Sequence, residues 1–245
     1  MNMELLKNDK IETTKIDSWD FTKVKPNILQ RHMELSIPGY KDGHQIIRIM
    51  SHFFIKEEAH IYDIGCGPGV LIDELSEEHC EKTMLKFSGI DPYIDTQKSY
   101  YCMKGGKSGH KITFIGDSAK DIRFEMCDMA ILYYSLQFME IEEKVMVLEK
   151  IAKALKRGGC MIIFEKVIDE NPVIQEMIVT SYEKWKLEQG IDEKAIIQKK
   201  FSLMGTLRNS TRNELKEMLV NTGIEGEITY VYRYLGFEGL MFVKR

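Results

Sequence analysis

Ten residues, His60-Ile-Tyr-Asp-Ile-Gly-Cys-Gly-Pro-Gly69, constrain this chain more than any other stretch. Ile61, Tyr62 and Ile64 flank Asp63, and Gly65, Gly67 and Gly69 then recur at every second position. The pattern predicts a buried strand that breaks into a tight glycine turn, with a helix opening near Pro68. Glycines permit positive φ and let a ligand lie directly against the main chain. A strand, glycine turn and helix near the start of an alternating α/β chain is a nucleotide or nucleoside site.

The flanking sequence supplies that alternation. Apolar positions recur at helical spacing over 42–54, and 70–79 continues as a helix carrying Leu71, Ile72 and Leu75 on one face. Lys86-Phe-Ser-Gly-Ile-Asp91 reads as a second strand, stopped by Pro92, and 94–103 looks helical. Strands are expected at 111–117, 127–134 and 160–165, with an amphipathic helix over 141–156 closed by Gly158-Gly159. From 171 to 223 the strand signal disappears and three helical stretches follow, opened by Pro172. Such an insertion usually serves as a lid or a subunit contact. Two β-rich runs, 227–235 and 239–244, close the chain, antiparallel at the sheet edge. The expected fold is α/β: a doubly wound, seven-stranded, mostly parallel sheet. Its parts are an N-terminal helical cap (1–56), a Rossmann-like core (57–170), the helical insertion (171–223) and C-terminal strands that complete the sheet (224–245).

Composition narrows the function. A net charge of −4 over 245 residues argues against a broad nucleic-acid-binding face. No apolar run approaches membrane-spanning length, and residues 1–17 lack the apolar centre of a signal peptide. Cys66, Cys80, Cys102, Cys127 and Cys160 show no C-x-x-C spacing and read as reduced thiols of a cytoplasmic protein. The six histidines show no metal-binding spacing, so no protein metal site is expected. Gly105-Gly106-Lys107-Ser108-Gly109 lacks phosphate-loop spacing and reads as linker.

The glycine spacing decides between nucleosides. A dinucleotide fingerprint needs a third glycine at position 70, and Val70 stands there. The G-x-G-x-G form, with Asp63 two residues ahead, suits S-adenosylmethionine, whose amino-acid carboxylate faces the helix N-terminus. Asp91, ending strand two, can accept from both ribose hydroxyls. Asp117 or Ser118, after Gly116, is placed to meet the adenine. Tyr40, Tyr133 and Tyr134 could surround a cationic sulfur and its methyl, and Glu165 is a candidate base or orienter. Lysines 184, 186, 194, 199 and 200, with Arg208 and Arg212, put positive charge on the insertion, either as a solvated face or to recognise an anion.

With these residues in place the chain resembles the class I S-adenosylmethionine-dependent methyltransferase superfamily. The resemblance is closer to one branch, the carboxy-S-adenosylmethionine synthases, which serve tRNA wobble-uridine modification. The matching stretches are Trp19-Asp-Phe21, Gln30-Arg31, Ile37-Pro-Gly-Tyr40, Tyr62-Asp-Ile-Gly65, Gly116-Asp117, Ser135-Leu-Gln-Phe138, Gly158-Gly159, Glu165-Lys166, Gln198-Lys199 and Phe237-Glu-Gly239. The resemblance implies a homodimer, and a cofactor pocket lined by Tyr40, Gly65, Cys66, Gly67, Asp91, Pro92, Asp117 and Ser118, to which Asp63, Gly69 and Tyr133 are added here. Arg31, Tyr134, Lys199 and Lys200 are the expected substrate contacts, and Tyr133, Lys200 and Glu165 the expected catalytic groups. Two positions depart from the branch. It carries an arginine that holds the product's extra carboxylate where this chain has Lys200, and an asparagine where this chain has Tyr133. Arginine clamps a carboxylate with two parallel bonds, whereas lysine offers a point charge. The expected activity is methyl transfer from S-adenosylmethionine to a small molecule. The alternatives are carboxy-S-adenosylmethionine synthesis from prephenate, and a non-catalytic partner protein that binds the cofactor.

Overall fold

The computed structural model describes residues 26–93, 100–102 and 109–245. Trp19, Phe21 and most of the glycine linker at 105–109 lie outside them. The strands are β1 (His60–Ile64), β2 (Lys86–Ile90), β3 (Tyr100–Cys102), β4 (His110–Ile115), β5 (Cys127–Tyr133), β6 (Leu155–Lys166), β7 (Gly226–Tyr234) and β8 (Phe237–Lys244). They form one sheet in the order β3-β4-β2-β1-β5-β6-β8-β7. The five central strands are parallel, and β8 and β7 return antiparallel at one edge. The seven expected strands are all there. The helix expected over 94–103 is corrected at its end: Tyr100–Cys102 is a short eighth strand antiparallel to β4, and 94–99 and 103 lie outside the described residues. Its residue types, two tyrosines and a cysteine, suit a pleated edge better than a helix.

The helices are α1 (Pro26–Ser36), α2 (Tyr40–Phe54), α3 (Val70–Glu78), α4 (Ile141–Ala154), α5 (Pro172–Glu188), α6 (Glu193–Ser202) and α7 (Arg212–Val220). Their starts follow capping chemistry. Asn171 Oδ1 accepts from Val173 N and Ile174 N, with Pro172 in the first turn of α5. Thr211 and Glu214 form a reciprocal capping box on α7. The chain over 26–36, within the expected helical cap, is helical and sets Met33 against the core.

β1, β5 and the second half of β6 are buried on both faces, as βαβ crossovers require, whereas β2 and β4 leave alternate residues partly exposed. Ile61, Met129, Ile131, Tyr133, Ile162 and Phe164 pack with α2 and α3. Tyr62, Ile64, Ala130, Leu132, Met161 and Ile163 face the opposite way, toward α4 and α7. Period-two alternation thus fixes which side chains can meet. The chain leaves β1 toward β2 and β4 on one side, and reaches β5 and β6 on the other. The carboxyl ends of β1 and β5 therefore border the switch point, where an open α/β sheet leaves a crevice.

Candidate active site

The glycine turn lies at that crevice. Gly65 N and Cys66 N donate to Ile90 O at 2.7 and 3.3 Å, so the turn folds back over the end of β2. Gly65 has φ +75°, and a Cβ there would sit 2.3 Å from Ser135 Cβ; only glycine lets the ends of β1 and β5 close so tightly. Gly67, at φ +51°, meets nothing within 4 Å on its Cβ side, which leaves its main chain open to a ligand. Gly67 N donates to Asp91 Oδ2 at 2.9 Å, and Tyr93 N to Asp91 Oδ1 at 2.9 Å. Each Asp91 oxygen, accepting one such bond, keeps a further lone pair. Burial raises its pKa, against those two bonds.

Asp63 is the most telling group. It is 2% exposed, and its Oδ1 has no hydrogen-bond partner. Burial, and then the Asp91 carboxylate, push its pKa up to about 7 from 3.8. A buried carboxylate oxygen at the foot of a glycine turn fits a cationic group of a ligand, because burying it unpaired costs free energy. Around it, Cys66 is a buried thiol whose pKa burial raises, not an activated nucleophile. Pro92 and Asp117 are exposed at the ends of β2 and β4, and Ser118 Oγ donates to Glu143 Oε1 at 3.1 Å.

An aromatic wall closes the crevice. Tyr133 ends β5 with its ring 5.1 Å from Tyr40, 4.8 Å from His44 and 4.8 Å from Tyr134. Successive strand residues should face opposite sides, yet Tyr134 joins Tyr133 on one side. Its φ of +56° reverses the alternation and sets its ring against Phe164 and Phe237. A non-glycine residue in this region is strained, and such strain gathers at functional sites. Burial raises the pKa of both phenols, so they remain neutral. His44, 5% exposed, is held through Nδ1 to Glu74 Oε2 at 2.9 Å.

Three tyrosine hydroxyls tie the turn that carries Tyr40. Tyr182 donates to Ser36 O at 2.6 Å, Tyr232 to Pro38 O at 3.1 Å and Tyr133 to Tyr40 O at 2.5 Å. Tyr182 and Tyr232 come from α5 and β7, and sequence reasoning missed both. Nothing local marks them, because the contact spans 146 and 194 residues of chain.

The structure separates several residues expected together. Glu165 is not at this wall. Phe164 faces the wall, so its neighbour points to the other side of the sheet, where Lys144 Nζ lies 3.4 Å from Glu165 Oε1 with both side chains fully buried. Lys144 also donates to Ser210 Oγ at 3.0 Å and to Arg208 O. Glu165 is thus half of a buried ion pair, its pKa raised by burial. Lys199 and Lys200 diverge as neighbours on a helix must. Lys199 Nζ turns inward to Ser36 Oγ at 3.1 Å and to His32 Nε2. Lys200 turns outward, 65% exposed, and pairs with Glu183 at 2.9 Å. Arg31 is exposed on α1. Among the described residues, no group of three metal-ligating side chains could hold an ion, and no helix is long and apolar enough to cross a membrane.

Comparison with known proteins places this geometry. Residues 61–159 match a family described as a methyltransferase domain. The chain is 30% identical over 227 residues to carboxy-S-adenosyl-L-methionine synthase of Staphylococcus epidermidis, covering 92% of this chain and 97% of that protein. It is 27% identical to the enzyme of that name from Colwellia psychrerythraea, covering 91% and 89%. In fold it is similar to the pyocyanin biosynthetic protein PhzM, with a TM-score of 0.61 and 13% identity over 98% of this chain and 66% of that one. The chain is an S-adenosylmethionine-dependent transferase. It belongs to the class I S-adenosylmethionine-dependent methyltransferase superfamily and, within it, to the family of the carboxy-S-adenosyl-L-methionine synthases.

Proposed function

We propose that this chain is a methyltransferase that acts on a small molecule. The observation that carries the cofactor half of the reading is the unpartnered, buried Oδ1 of Asp63 at the foot of the glycine turn, and the choice of methyl transfer rests on Tyr133, whose hydroxyl is committed to Tyr40 O. That oxygen suits the α-ammonium of S-adenosylmethionine. The spare lone pairs of Asp91 suit the ribose hydroxyls, and Asp117 and Ser118 stand at the edge where the adenine belongs. Bound S-adenosylmethionine supplies an already activated methyl group. The protein then has to align acceptor and sulfonium and keep water out. Tyr40, Tyr133 and Tyr134 provide neutral ring faces and oxygens for a cationic sulfonium. No strongly basic group is required of the wall when the acceptor is itself nucleophilic. Where it must lose a proton, His44, oriented by Glu74, is a better placed base than Glu165.

A second reading, carboxy-S-adenosylmethionine synthesis, is favoured by the near full-length likeness to synthases of that name. Against it, Tyr133 fills the strand end with a ring whose hydroxyl is already committed to Tyr40 O, and Lys200 faces solvent. One assay separates the two. The protein is incubated with S-adenosylmethionine, with and without prephenate and a pool of small-molecule acceptors, and the nucleosides are followed by mass spectrometry. Methyl transfer predicts S-adenosylhomocysteine that depends on the acceptor pool and not on prephenate. A carboxylated sulfonium that needs prephenate would overturn it.

A further inference from the structure

His44 sits among the rings of the aromatic wall, and one of its nitrogens is unused. Its ring centre lies 4.8 Å from Tyr40 and 4.8 Å from Tyr133, and those two rings are 5.1 Å apart, so the three pack as a triangle. Nδ1 is held by Glu74 Oε2 at 2.9 Å. A carboxylate accepts the proton of Nδ1 and so leaves the lone pair on Nε2. Among the described residues Nε2 has no partner, and it is not one of their buried, unpaired atoms, so it opens on space that a ligand can enter. Burial raises the pKa of Glu74, but its bond to His44 and the charges of His44, Arg48 and Lys41 outweigh that and hold it below the usual carboxylate value. The helix gives up a side chain for this arrangement. Gly43 lies inside α2, where glycine is unfavourable, and a Cβ there would come within 2.3 Å of Tyr133 Oη. Tyr133 donates to Tyr40 O at 2.5 Å, which fixes its ring across that of His44. A plain tie between α2 and α3 needs none of this. His52 and Glu78 make such a tie two turns further along, at 2.8 Å, with His52 49% exposed and tilted against His79.

A held imidazole with an open lone pair serves an acceptor that must lose a proton. A carboxylate or an amine brings its own lone pair to the methyl group. An aliphatic hydroxyl is too weak an acid for imidazole, whereas a phenol, at about 10 like tyrosine, is within reach. The faces of Tyr133, Tyr134 and Phe164, 4.8 to 5.0 Å apart, suit a flat ring. We propose that His44, oriented by Glu74, is the general base of the transfer, and that the acceptor is a hydroxyl on an aromatic ring. The phenolic O–H bond breaks and its proton passes to His44 Nε2. The oxygen's electron pair forms the new O–CH3 bond, while the S–CH3 bond breaks and its pair stays on sulfur, which leaves S-adenosylhomocysteine. Glu74 balances the imidazolium, and Nε2 returns the proton to water. The proposal rests on the methyltransferase reading above and names the class of its substrate.

The test uses the full chain saturated with S-adenosylhomocysteine, so that no methyl group can move. 4-Nitrophenol and its methyl ether, 4-nitroanisole, are titrated by calorimetry and by absorbance, at a pH where free 4-nitrophenol keeps its proton. The proteins are the wild type, His44→Gln, Glu74→Gln and His52→Gln, the last removing the exposed histidine of the same helix. In the wild type and His52→Gln, the phenol should bind about tenfold or more tighter than the ether and show phenolate absorbance. His44→Gln should still bind the nucleoside but lose the phenolate absorbance and the preference for the phenol, and Glu74→Gln should weaken both. An ether that binds the wild type as well as the phenol does, no binding of the phenol, or phenolate absorbance that persists in His44→Gln overturns the proposal. Unchanged absorbance in Glu74→Gln overturns the part given to Glu74. Failure of the wild type to bind S-adenosylhomocysteine sinks the transferase reading itself, whereas nucleoside binding without a preference for the phenol sinks only the base and its substrate class.

Discussion

Asp63 shows how one side chain can be read in both sequence and structure. Its place two residues before the glycines was legible; its missing partner was not, because satisfaction is a property of three-dimensional neighbours. The sign of its effect follows from linkage. An acid whose folded pKa, about 7, lies above its ordinary 3.8 binds more protons folded than unfolded between those values. Its contribution therefore favours folding at low pH and is lost as pH rises from about 4 to about 7. Replacing it with asparagine should flatten that part of the stability profile of the ligand-free protein, measured by urea unfolding at several pH values. A steeper profile in the variant would contradict the assignment. Asp91 is a simpler case. Asp91→Ala removes the acceptor for Gly67 N along with the ribose contact, and should weaken S-adenosylmethionine binding roughly ten- to a hundredfold by calorimetry. Unchanged affinity would mean the ribose contact is wrong.

At the level of elements, the parallel strands, the glycine turn and the helical insertion were all written in hydrophobic period and punctuation. What period could not give was exceptions to itself. Tyr134 faces the same way as Tyr133 because one φ is positive, and no residue type announces that. Glu165 follows the rule that Tyr134 breaks, and so lands on Lys144 instead of the wall. The pair predicts a thermodynamic signature. Lys144→Met leaves a buried carboxylate unpaired and should cost about 3–5 kcal/mol in urea unfolding, with most of the loss recovered in a Lys144→Met, Glu165→Met double variant. An equal loss in the double variant would show that the pair matters for packing instead. Gly65→Ala tests the closure of β1 on β5: strain at φ +75° and the contact with Ser135 should destabilise the fold by about 1–3 kcal/mol and weaken cofactor binding with it.

Across the whole molecule, the site is assembled from parts distant in sequence. The turn at 36–40 is held by hydroxyls from β5, α5 and β7, so the cap, the core, the insertion and the last strands meet at Tyr40. Motif spacing reveals the cofactor half of such a site, because turn and ligand are local. It does not reveal the acceptor half, which depends on how α5 and α6 lie over the sheet; Lys199 and Lys200, adjacent in sequence, look alike there and point apart in space. The outer side of α5 also carries exposed Val173 and Met177, one turn apart, and we propose this face as the contact of a homodimer. Light scattering should then report a dimer that Met177→Glu shifts toward monomer; an unshifted dimer would place the contact elsewhere. The most direct test concerns the charge at the foot of the glycine turn. S-adenosylmethionine affinity is measured by calorimetry between pH 5.5 and 7.5 for the wild type and for Asp63→Asn. A cation that needs the Asp63 carboxylate must displace its proton, so wild-type affinity should climb with pH, at most about tenfold per unit, and the variant should bind weakly with little slope. A flat wild-type profile, or the same slope in Asp63→Asn, would contradict the account.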